Sequence, residues 1–233
     1  MSDPSAKVFH MNFDATRMLS FDLETTSVNP KEARIVTSAL VRIDGRDVDK
    51  REMLADPGVE IPEAAAKIHG ITTEKARAEG QPHDEVLAET VRSIRQAWDD
   101  GLTLIVYNAA YDLSVLRALT GDFTVDGPVF DPFVIDRVKD KWRKGKRTLG
   151  DVSAHYGVTL ENAHEATSDA LAAARIAWMQ VRQHFPELAQ MDTTELMEYQ
   201  AVEWYKDRES FKKYLEGQGK DASDISTAWP MIG

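Results

Sequence analysis

The order of predicted secondary structure is the feature that most constrains the fold of this chain of 233 residues. Three strand patterns come first, at 18–23, 35–43 and 48–54, and turn residues separate them. Helical and strand patterns then alternate as far as about residue 185. This order predicts an α/β domain whose sheet begins with antiparallel strands.

The hydrophobic pattern and a late proline divide the chain into three regions. We expect an N-terminal extension at 1–16, a main domain at 17–186, and a C-terminal helical extension with a tail at 187–233. The last region begins with a helix over about 193–216, whose apolar stripe either packs on the main domain or docks a partner. Its tail is either a linker or a strap held by Trp229.

Composition limits the environment and the chemistry. The chain has no cysteine, which excludes disulfides and thiolate chemistry and leads us to expect a cytoplasmic protein. No apolar run approaches the roughly 18 residues of a membrane-spanning helix, so we expect no membrane association. The net charge of −11 disfavours nucleic acid unless basic residues cluster. They do cluster at 137–147, where seven basic residues accompany one acid.

Two carboxylates share one face of the first predicted strand. Asp22 and Glu24 point the same way because side chains alternate along a strand with a period of two. Their neighbours Leu19, Phe21 and Leu23 are apolar, and a buried pair of like charges needs a compensating cation. On an exposed strand the same pair would be solvated. The apolar setting favours a divalent metal.

Three further polar residues stand near helix starts. Asp112 follows a buried strand pattern at 102–107 and begins a helix, where an acid also suits the helix dipole. His164 and Asp169 open an alanine-rich helix, and they converge if His164 lies just before or within its first turn. His164 would also suit an ordinary surface or capping position.

Together these residues carry a resemblance to a known family. The matching stretches are FDLETT at 21–26, IHGIT at 68–72, NAAYD at 108–112 and HEATSDA at 164–170. Over about 17–185 the chain resembles the DEDDh exonucleases, the family of the bacterial DNA polymerase III proofreading subunit and ribonuclease T. Tyr107 departs from the family pattern, since many members have histidine there.

The resemblance implies a fold and a reaction. The fold is ribonuclease H-like, an α/β architecture with a mixed five-stranded sheet flanked by helices. The reaction is the removal of nucleoside 5′-monophosphates from a free 3′ end with two divalent cations, Mg²⁺ or Mn²⁺, which prefer oxygen ligands.

The resemblance also assigns roles to the five motif residues. Asp22 bridges both metals. Glu24 and Asp169 hold one of them, and Asp112 helps to hold the other. His164 is the general base that takes a proton from the attacking water, a task that suits an imidazole at neutral pH.

Substrate contacts are expected on both sides of these motifs. The resemblance places Thr25 near the terminal 3′ hydroxyl and His69 and Ile71 near the terminal base, although His69 also suits packing at a helix end. Asn108 in the third stretch is a further substrate-binding candidate.

The basic cluster supplies the remaining substrate-binding candidates. Arg143 and Lys146 are placed to contact phosphates beside Trp142, and the expected affinity would depend on salt. A solvated lysine-rich helix end would show the same charges.

The expected substrate is the 3′ end of single-stranded or frayed DNA, because an unpaired terminus can reach buried metals. DNA is preferred over RNA, and an exoribonuclease is the alternative enzyme because the metal chemistry does not distinguish the sugars. A replication or repair protein is the expected partner. From another class, a catalytically silent module could bind nucleic acid or a polymerase through the helix at 193–216.

Overall fold

A six-stranded sheet forms the centre of the computed structural model, which describes residues 12–160 and 163–232. The strands are β1 (Arg17–Thr25), β2 (Ile35–Asp44), β3 (Asp47–Asp56), β4 (Gln81–Pro82), β5 (Thr103–Ile105) and β6 (Val129–Phe130). Their order is β4-β3-β2-β1-β5-β6. The pairs β1–β2 and β2–β3 are antiparallel, and the other three pairs are parallel.

The predicted mixed α/β class is confirmed, but the sheet has six strands rather than five. The additional strand β4 pairs only Gln81 and Pro82 with Ala55 and Asp56 of β3. A strand of two exposed residues carries no alternating pattern, so the sequence gives no signal for it. The first three predicted strands agree with β1, β2 and β3 to within a few residues.

Helices flank the sheet and connect its parallel strands. They are α1 (Glu63–His69), α2 (Thr73–Glu79), α3 (His83–Asp99), α4 (Ala109–Thr120), α5 (Pro132–Lys139), α6 (Leu149–His155), α7 (Ala166–Met179) and α8 (Thr193–Gly217). A π-helical turn at Gln180–His184 and a 3₁₀ turn at Pro186–Gln190 link α7 to α8. None of the described helices has the length and apolar character needed to cross a membrane.

The central strand β1 is paired along only part of one side. Its parallel neighbour β5 contacts it from Met18 to Ser20 and then ends. The predicted strand at 102–107 was therefore too long, because the chain leaves the sheet after Ile105 and turns into α4. The second half of β1 keeps β2 on one side and faces an opening on the other.

The described end of the predicted N-terminal extension packs in the core. Phe13 is 4% exposed and stacks on Phe130 of β6 with 4.8 Å between the ring centroids. Ala15 is buried as well. Residues 1–11 of this predicted extension lie outside the described residues.

The predicted C-terminal helix packs on the main domain through its first half. In α8, the side-chain amide of Gln200 accepts a hydrogen bond from the Asp131 backbone N–H at 2.7 Å and donates to the Val129 carbonyl at 2.9 Å. It thereby continues the hydrogen bonding of β6. Trp204 is buried one turn later, whereas Tyr205 is 53% exposed.

The tail beyond α8 is a strap rather than a linker. Trp229 is 9% exposed, and its indole N–H donates to Asp131 Oδ2 at 3.2 Å. Farther along, the Ile232 backbone N–H donates to Ser114 Oγ on α4 at 2.8 Å. The tail thus crosses from α8 to the elements that follow β5 and β6.

Candidate active site

The first motif lies on the half of β1 that β5 leaves uncovered. Asp22 pairs with Ala39 of β2 in the sheet register, and Glu24 follows two residues later on the same face. On the uncovered side, the Leu23 backbone N–H donates to Asp112 Oδ1 at 3.2 Å. A carboxylate of α4 therefore takes the place of a strand partner, which joins the first and second motifs.

The second motif is held by a sharp turn between β5 and α4. Asn108 has a left-handed conformation, with φ 65°, which asparagine tolerates better than most residues. Its backbone N–H and that of Ala109 donate to Asp131 Oδ1 and Oδ2 at 3.0 and 2.8 Å. Asp112 lies one turn into α4 and is 5% exposed. The buried Asp131 carboxylate thus fixes the start of the helix that carries Asp112.

The third motif forms the start of α7. His164 also has a left-handed conformation, with φ 67°, and its backbone N–H donates to Asp169 Oδ2 at 3.3 Å. From the opposite side, Glu52 of β3 accepts hydrogen bonds from the Thr167 backbone N–H at 3.1 Å and from its hydroxyl at 2.6 Å. One ligand atom from each of Glu24, His164 and Asp169 lies within 4.8 Å of the others.

All five motif residues line one open cleft of about 360 Å³. The sequence predicted that they would meet, and the structure brings them together although they span 148 positions of the chain. Other residues complete the wall of the cleft, and they include Tyr107, Asn108, Tyr111, Phe133, Arg147 and Thr148.

The carboxylates in the cleft resist ionisation. Burial raises the pKa of Asp22 well above its usual value, and repulsion from Asp112 and Glu24 adds to the effect. Burial and the charge of Asp169 raise the pKa of Glu24 to about 7. The pKa values of Asp112 and Asp169 are also raised, chiefly by burial. Proteins hold such clusters of like charges where a cation compensates them.

One further observation fits a divalent cation. In the described part of the chain, Asp169 Oδ1 is buried and has no hydrogen-bond partner. A buried carboxylate oxygen without a donor is costly unless a cation can occupy that side of it. The four carboxylates Asp22, Glu24, Asp112 and Asp169 therefore fit hard divalent cations, which prefer oxygen ligands.

The contribution of Glu24 to the stability of the metal-free chain should fall as the pH rises from about 4.5 to about 7. A raised pKa means that the folded state binds the proton more tightly than the unfolded chain does. Deprotonation above the ordinary value of 4.5 for Glu24 and up to its folded value of about 7 therefore costs folding free energy. Urea unfolding in EDTA at several pH values, with and without added Mn²⁺, measures this dependence.

Glu24→Gln is the matched variant for that measurement. It should flatten the pH dependence in EDTA and lose the stabilisation by Mn²⁺. A wild-type curve that follows the variant at every pH would contradict the cost assigned to Glu24.

A second pocket, of about 630 Å³, adjoins the cleft. Three of the substrate-binding candidates, Thr25, His69 and Asn108, line it. Thr25 is hydrogen bonded through its hydroxyl to Tyr111. Burial lowers the pKa of His69, which therefore favours the neutral imidazole. Ile71 instead packs against the cluster under α1 and α2, and its backbone N–H donates to His69 Nδ1 at 3.2 Å.

The two candidates from the basic cluster have different environments. Arg143 Nη2 lies 2.6 Å from Oδ2 of Asp136, and its side chain is 15% exposed. Lys146 is exposed. Contact of either residue with substrate stays a prediction, and the structure gives Arg143 a buried partner that the sequence did not indicate.

Sequence reasoning missed Asp131 and Glu52, which position the motifs. Asp131 had a usable signal, because an acid directly before Pro132 is typical of a helix N-cap, and its Oδ1 does accept the Phe133 backbone N–H at 3.0 Å. Glu52 had none, since it lies in a run of charged residues on an exposed strand.

Comparisons with known proteins agree with this arrangement. The family model of the RNase T exonucleases matches residues 19–177. The chain is 33% identical to a DNA polymerase III PolC-type protein of Clostridium perfringens over 161 residues, which cover 67% of this chain and 10% of that protein. It is also 33% identical over 170 residues to a DNA polymerase III subunit epsilon-like protein of Rhodobacter capsulatus, covering 69% of this chain and 23% of that one.

Solved structures show the same fold. Exonuclease I of E. coli in complex with a dA16 oligonucleotide superposes with a TM-score of 0.60 and 21% identity, over 75% of this chain and 42% of that chain. A second structure of exonuclease I gives a TM-score of 0.63. The chain therefore spans less than half the length of these relatives and structures.

Proposed function

The chain belongs to the RNase T family of exonucleases, the DEDDh enzymes that its motifs resemble, and from this premise we propose that it shortens single-stranded or frayed DNA from the 3′ end. Two divalent cations, Mg²⁺ or Mn²⁺, would take part, and the product would be nucleoside 5′-monophosphates. The observation that carries this proposal is the convergence of all five motif residues on one cleft.

Four carboxylates would hold the cations. We assign Asp22 to both ions, Glu24 and Asp169 to one, and Asp112 to the other. When bound, the cations would stabilise negative charge on the attacking and leaving oxygens of an in-line displacement. Leu23 and Asp131 serve this site through the backbone, because they fix the positions of Asp112 and of the turn before it.

His164 would act as the general base. It is exposed at the edge of the cleft, beside Glu24 and Asp169, where a water molecule can reach it. The imidazole would take one proton from the attacking water as the new oxygen–phosphorus bond forms. The bond from phosphorus to the 3′ oxygen of the next nucleotide breaks, and that oxygen takes a proton from solvent.

The pocket beside the cleft would receive the terminal nucleoside. Thr25, His69 and Asn108 lie in its wall, and Ile71 would act indirectly through His69. A nucleotide enters such a recess more readily when it is unpaired, since base pairing need not be broken. This supports a single-stranded or frayed end as the substrate.

DNA is the proposed polymer because the relatives are DNA polymerase III proteins and the superposed exonuclease I holds a dA16 strand. The competing substrate is RNA, since metal-assisted hydrolysis does not depend on the 2′ hydroxyl. The same relatives support action in the cytoplasm with a replication or repair protein as partner. A silent binding module is disfavoured because all five motif residues line the cleft.

A gel assay tests the proposal. DNA and RNA oligomers of one sequence, labelled at the 5′ end, are incubated with Mg²⁺ or Mn²⁺ and separately with EDTA. We expect a ladder of products that shortens from the 3′ end, is stronger on DNA, and is absent in EDTA and with Asp22→Ala. A stronger ladder on RNA than on DNA would assign the chain to RNA trimming, and intact oligomers under every condition would rule out the exonuclease.

A further inference from the structure

The segment 140–148, here called the basic loop, is anchored from beneath by a buried carboxylate. Asp136 of α5 is fully buried, and it pairs with Arg143 and Arg147 of this loop. The Arg147 guanidinium also donates to the Asp136 carbonyl at 3.0 Å, and Tyr156 donates its hydroxyl to Asp136 Oδ1 at 3.2 Å. The two arginines of the basic loop are therefore structural anchors.

Two further basic side chains, at the start of the cluster, form ion pairs as well. Arg137 pairs with Asp207 of α8 at 3.1 Å, and Lys139 pairs with Glu187 at 2.6 Å. These ion pairs hold α5 against the C-terminal region. Four of the seven basic residues at 137–147 thus have carboxylate partners.

The three remaining lysines and one tryptophan point outward. Lys141, Lys144 and Lys146 are exposed, and of the three only Lys146 is near enough to a carboxylate to lower its pKa, that of Asp151, among the described residues. Trp142 is 86% exposed, and Lys141 Nζ lies 5.6 Å from the centroid of its ring. Trp142 contributes little to folding through burial, because its ring keeps most of its contact with water. A flat ring beside three cations suits a strand of stacked bases and phosphates.

The basic loop borders the cleft on a side away from the adjoining pocket. Arg147 and Thr148, at the end of the loop, line the cleft but not the adjoining pocket. The pocket instead shares four residues with the cleft, namely Leu23, Glu24, Asn108 and Tyr111. A strand with its last nucleoside in the pocket and its scissile phosphate in the cleft can therefore continue toward the basic loop.

We propose that the basic loop is a docking platform for the nucleotides on the 5′ side of the scissile phosphate. Trp142 stacks on one base, and Lys141, Lys144 and Lys146 contact the phosphates around it. This inference rests on the proposed function and adds the path of the substrate strand. It also resolves the conflict between a polyanionic substrate and a chain of net charge −11, since the loop presents a local positive surface.

Binding of labelled thymidylates in EDTA tests the platform without requiring hydrolysis. The probes are an oligothymidylate 12-mer, which can reach the basic loop, and thymidine 5′-monophosphate, which has no nucleotide on the 5′ side of its phosphate. Trp142→Ala should weaken binding of the 12-mer about tenfold, as expected for the loss of one stacked base, and leave binding of the mononucleotide unchanged. Equal affinity of wild type and variant for the 12-mer would overturn the stacking role.

The three lysines are tested by salt dependence. Changing Lys141, Lys144 and Lys146 together to Gln should reduce the slope of log affinity against log salt for the 12-mer by about 2, since each single-strand phosphate contact contributes about 0.7. The matched control changes three exposed lysines elsewhere, Lys75, Lys213 and Lys220, to Gln. An equal change of slope in both triple variants would mean that only the net charge matters. That result would overturn the docking platform.

A small substrate separates this proposal from the proposed function. The p-nitrophenyl ester of thymidine 5′-monophosphate occupies only the cleft and the pocket, so Trp142→Ala should hydrolyse it as wild type does. If wild type hydrolyses neither the ester nor any oligomer, the exonuclease proposal fails. A loss of 12-mer affinity in Trp142→Ala would then still support the platform.

Discussion

Replacing Asp22 with asparagine should lower kcat by about 10³-fold or more while making the metal-free chain more stable. A cation that polarises the reacting phosphate contributes several kcal/mol of barrier lowering, and each 1.36 kcal/mol is a factor of ten in rate. Asparagine keeps the size of the side chain but removes a charge that both cations would share. The loss should fall on kcat, because the pocket for the terminal nucleoside is untouched.

The gain in stability has a separate cause. Asp22 is held near Asp112 and Glu24, and burial together with their charges raises its pKa well above the usual value. A neutral amide removes this repulsion, so unfolding in EDTA at pH 7.5 should require at least about 1 kcal/mol more free energy. Urea unfolding and single-turnover hydrolysis of a labelled DNA oligomer measure the two effects.

Asp49→Asn is the control for both measurements. Asp49 is an exposed acid on β3, so the same chemical change there should leave activity and stability within error. An Asp22→Asn protein that retains wild-type kcat, with contaminating nuclease excluded, would remove Asp22 from the metal site.

Truncation of Trp229 to alanine should destabilise the protein by about 3 kcal/mol and also reduce activity. Trp229 is 9% exposed in the core beside α4, and loss of a buried large aromatic side chain costs about 3–5 kcal/mol. Its indole N–H also donates to Asp131, which holds the backbone of Asn108 and Ala109. The start of α4, and with it Asp112, should become less fixed.

Trp229→Phe separates the two contributions. The phenyl ring keeps much of the packing but cannot donate to Asp131, so kcat should fall more than the free energy of unfolding does. Trp178→Ala is the matched control, because Trp178 is 38% exposed on α7 and touches neither Asp131 nor the cleft. If Trp229→Phe keeps the wild-type kcat, the tail stabilises the fold without positioning the site.

The sequence indicated which motif residues would meet better than it indicated the framework that holds them. Asp22 and Glu24 can be recognised from the sequence, because acids are uncommon in an apolar strand whose residues are buried. The resemblance then brought Asp112, His164 and Asp169 to the same place. These signals are local, so each could be found without knowing which elements are neighbours.

The supporting contacts depend on long-range geometry that no local pattern contains. Glu52 meets Thr167 across 115 positions, and Trp229 meets Asp131 across 98. The strand β5 ends at Ile105 because the chain turns at Asn108 into α4. The strand pattern at 102–107 does not predict that turn. For the same reason, the charges at 137–147 did not show that Arg143 and Arg147 pair with buried Asp136, whereas Lys141, Lys144 and Lys146 are exposed.

The side-chain amide of Gln200 covers the outer side of β6 and thereby limits strand pairing between copies of the chain. An edge strand with unpaired N–H and C=O groups is a template for a strand of another molecule, and this pairing leads to aggregation. Gln200 satisfies the Val129 carbonyl and the Asp131 N–H, so neither is available to a second chain. Toward the other edge, β3 exposes Asp47, Asp49 and Lys50, whose charges oppose such pairing. Both edges of the sheet thus oppose strand pairing between molecules, so we expect little aggregation when many copies gather on one substrate.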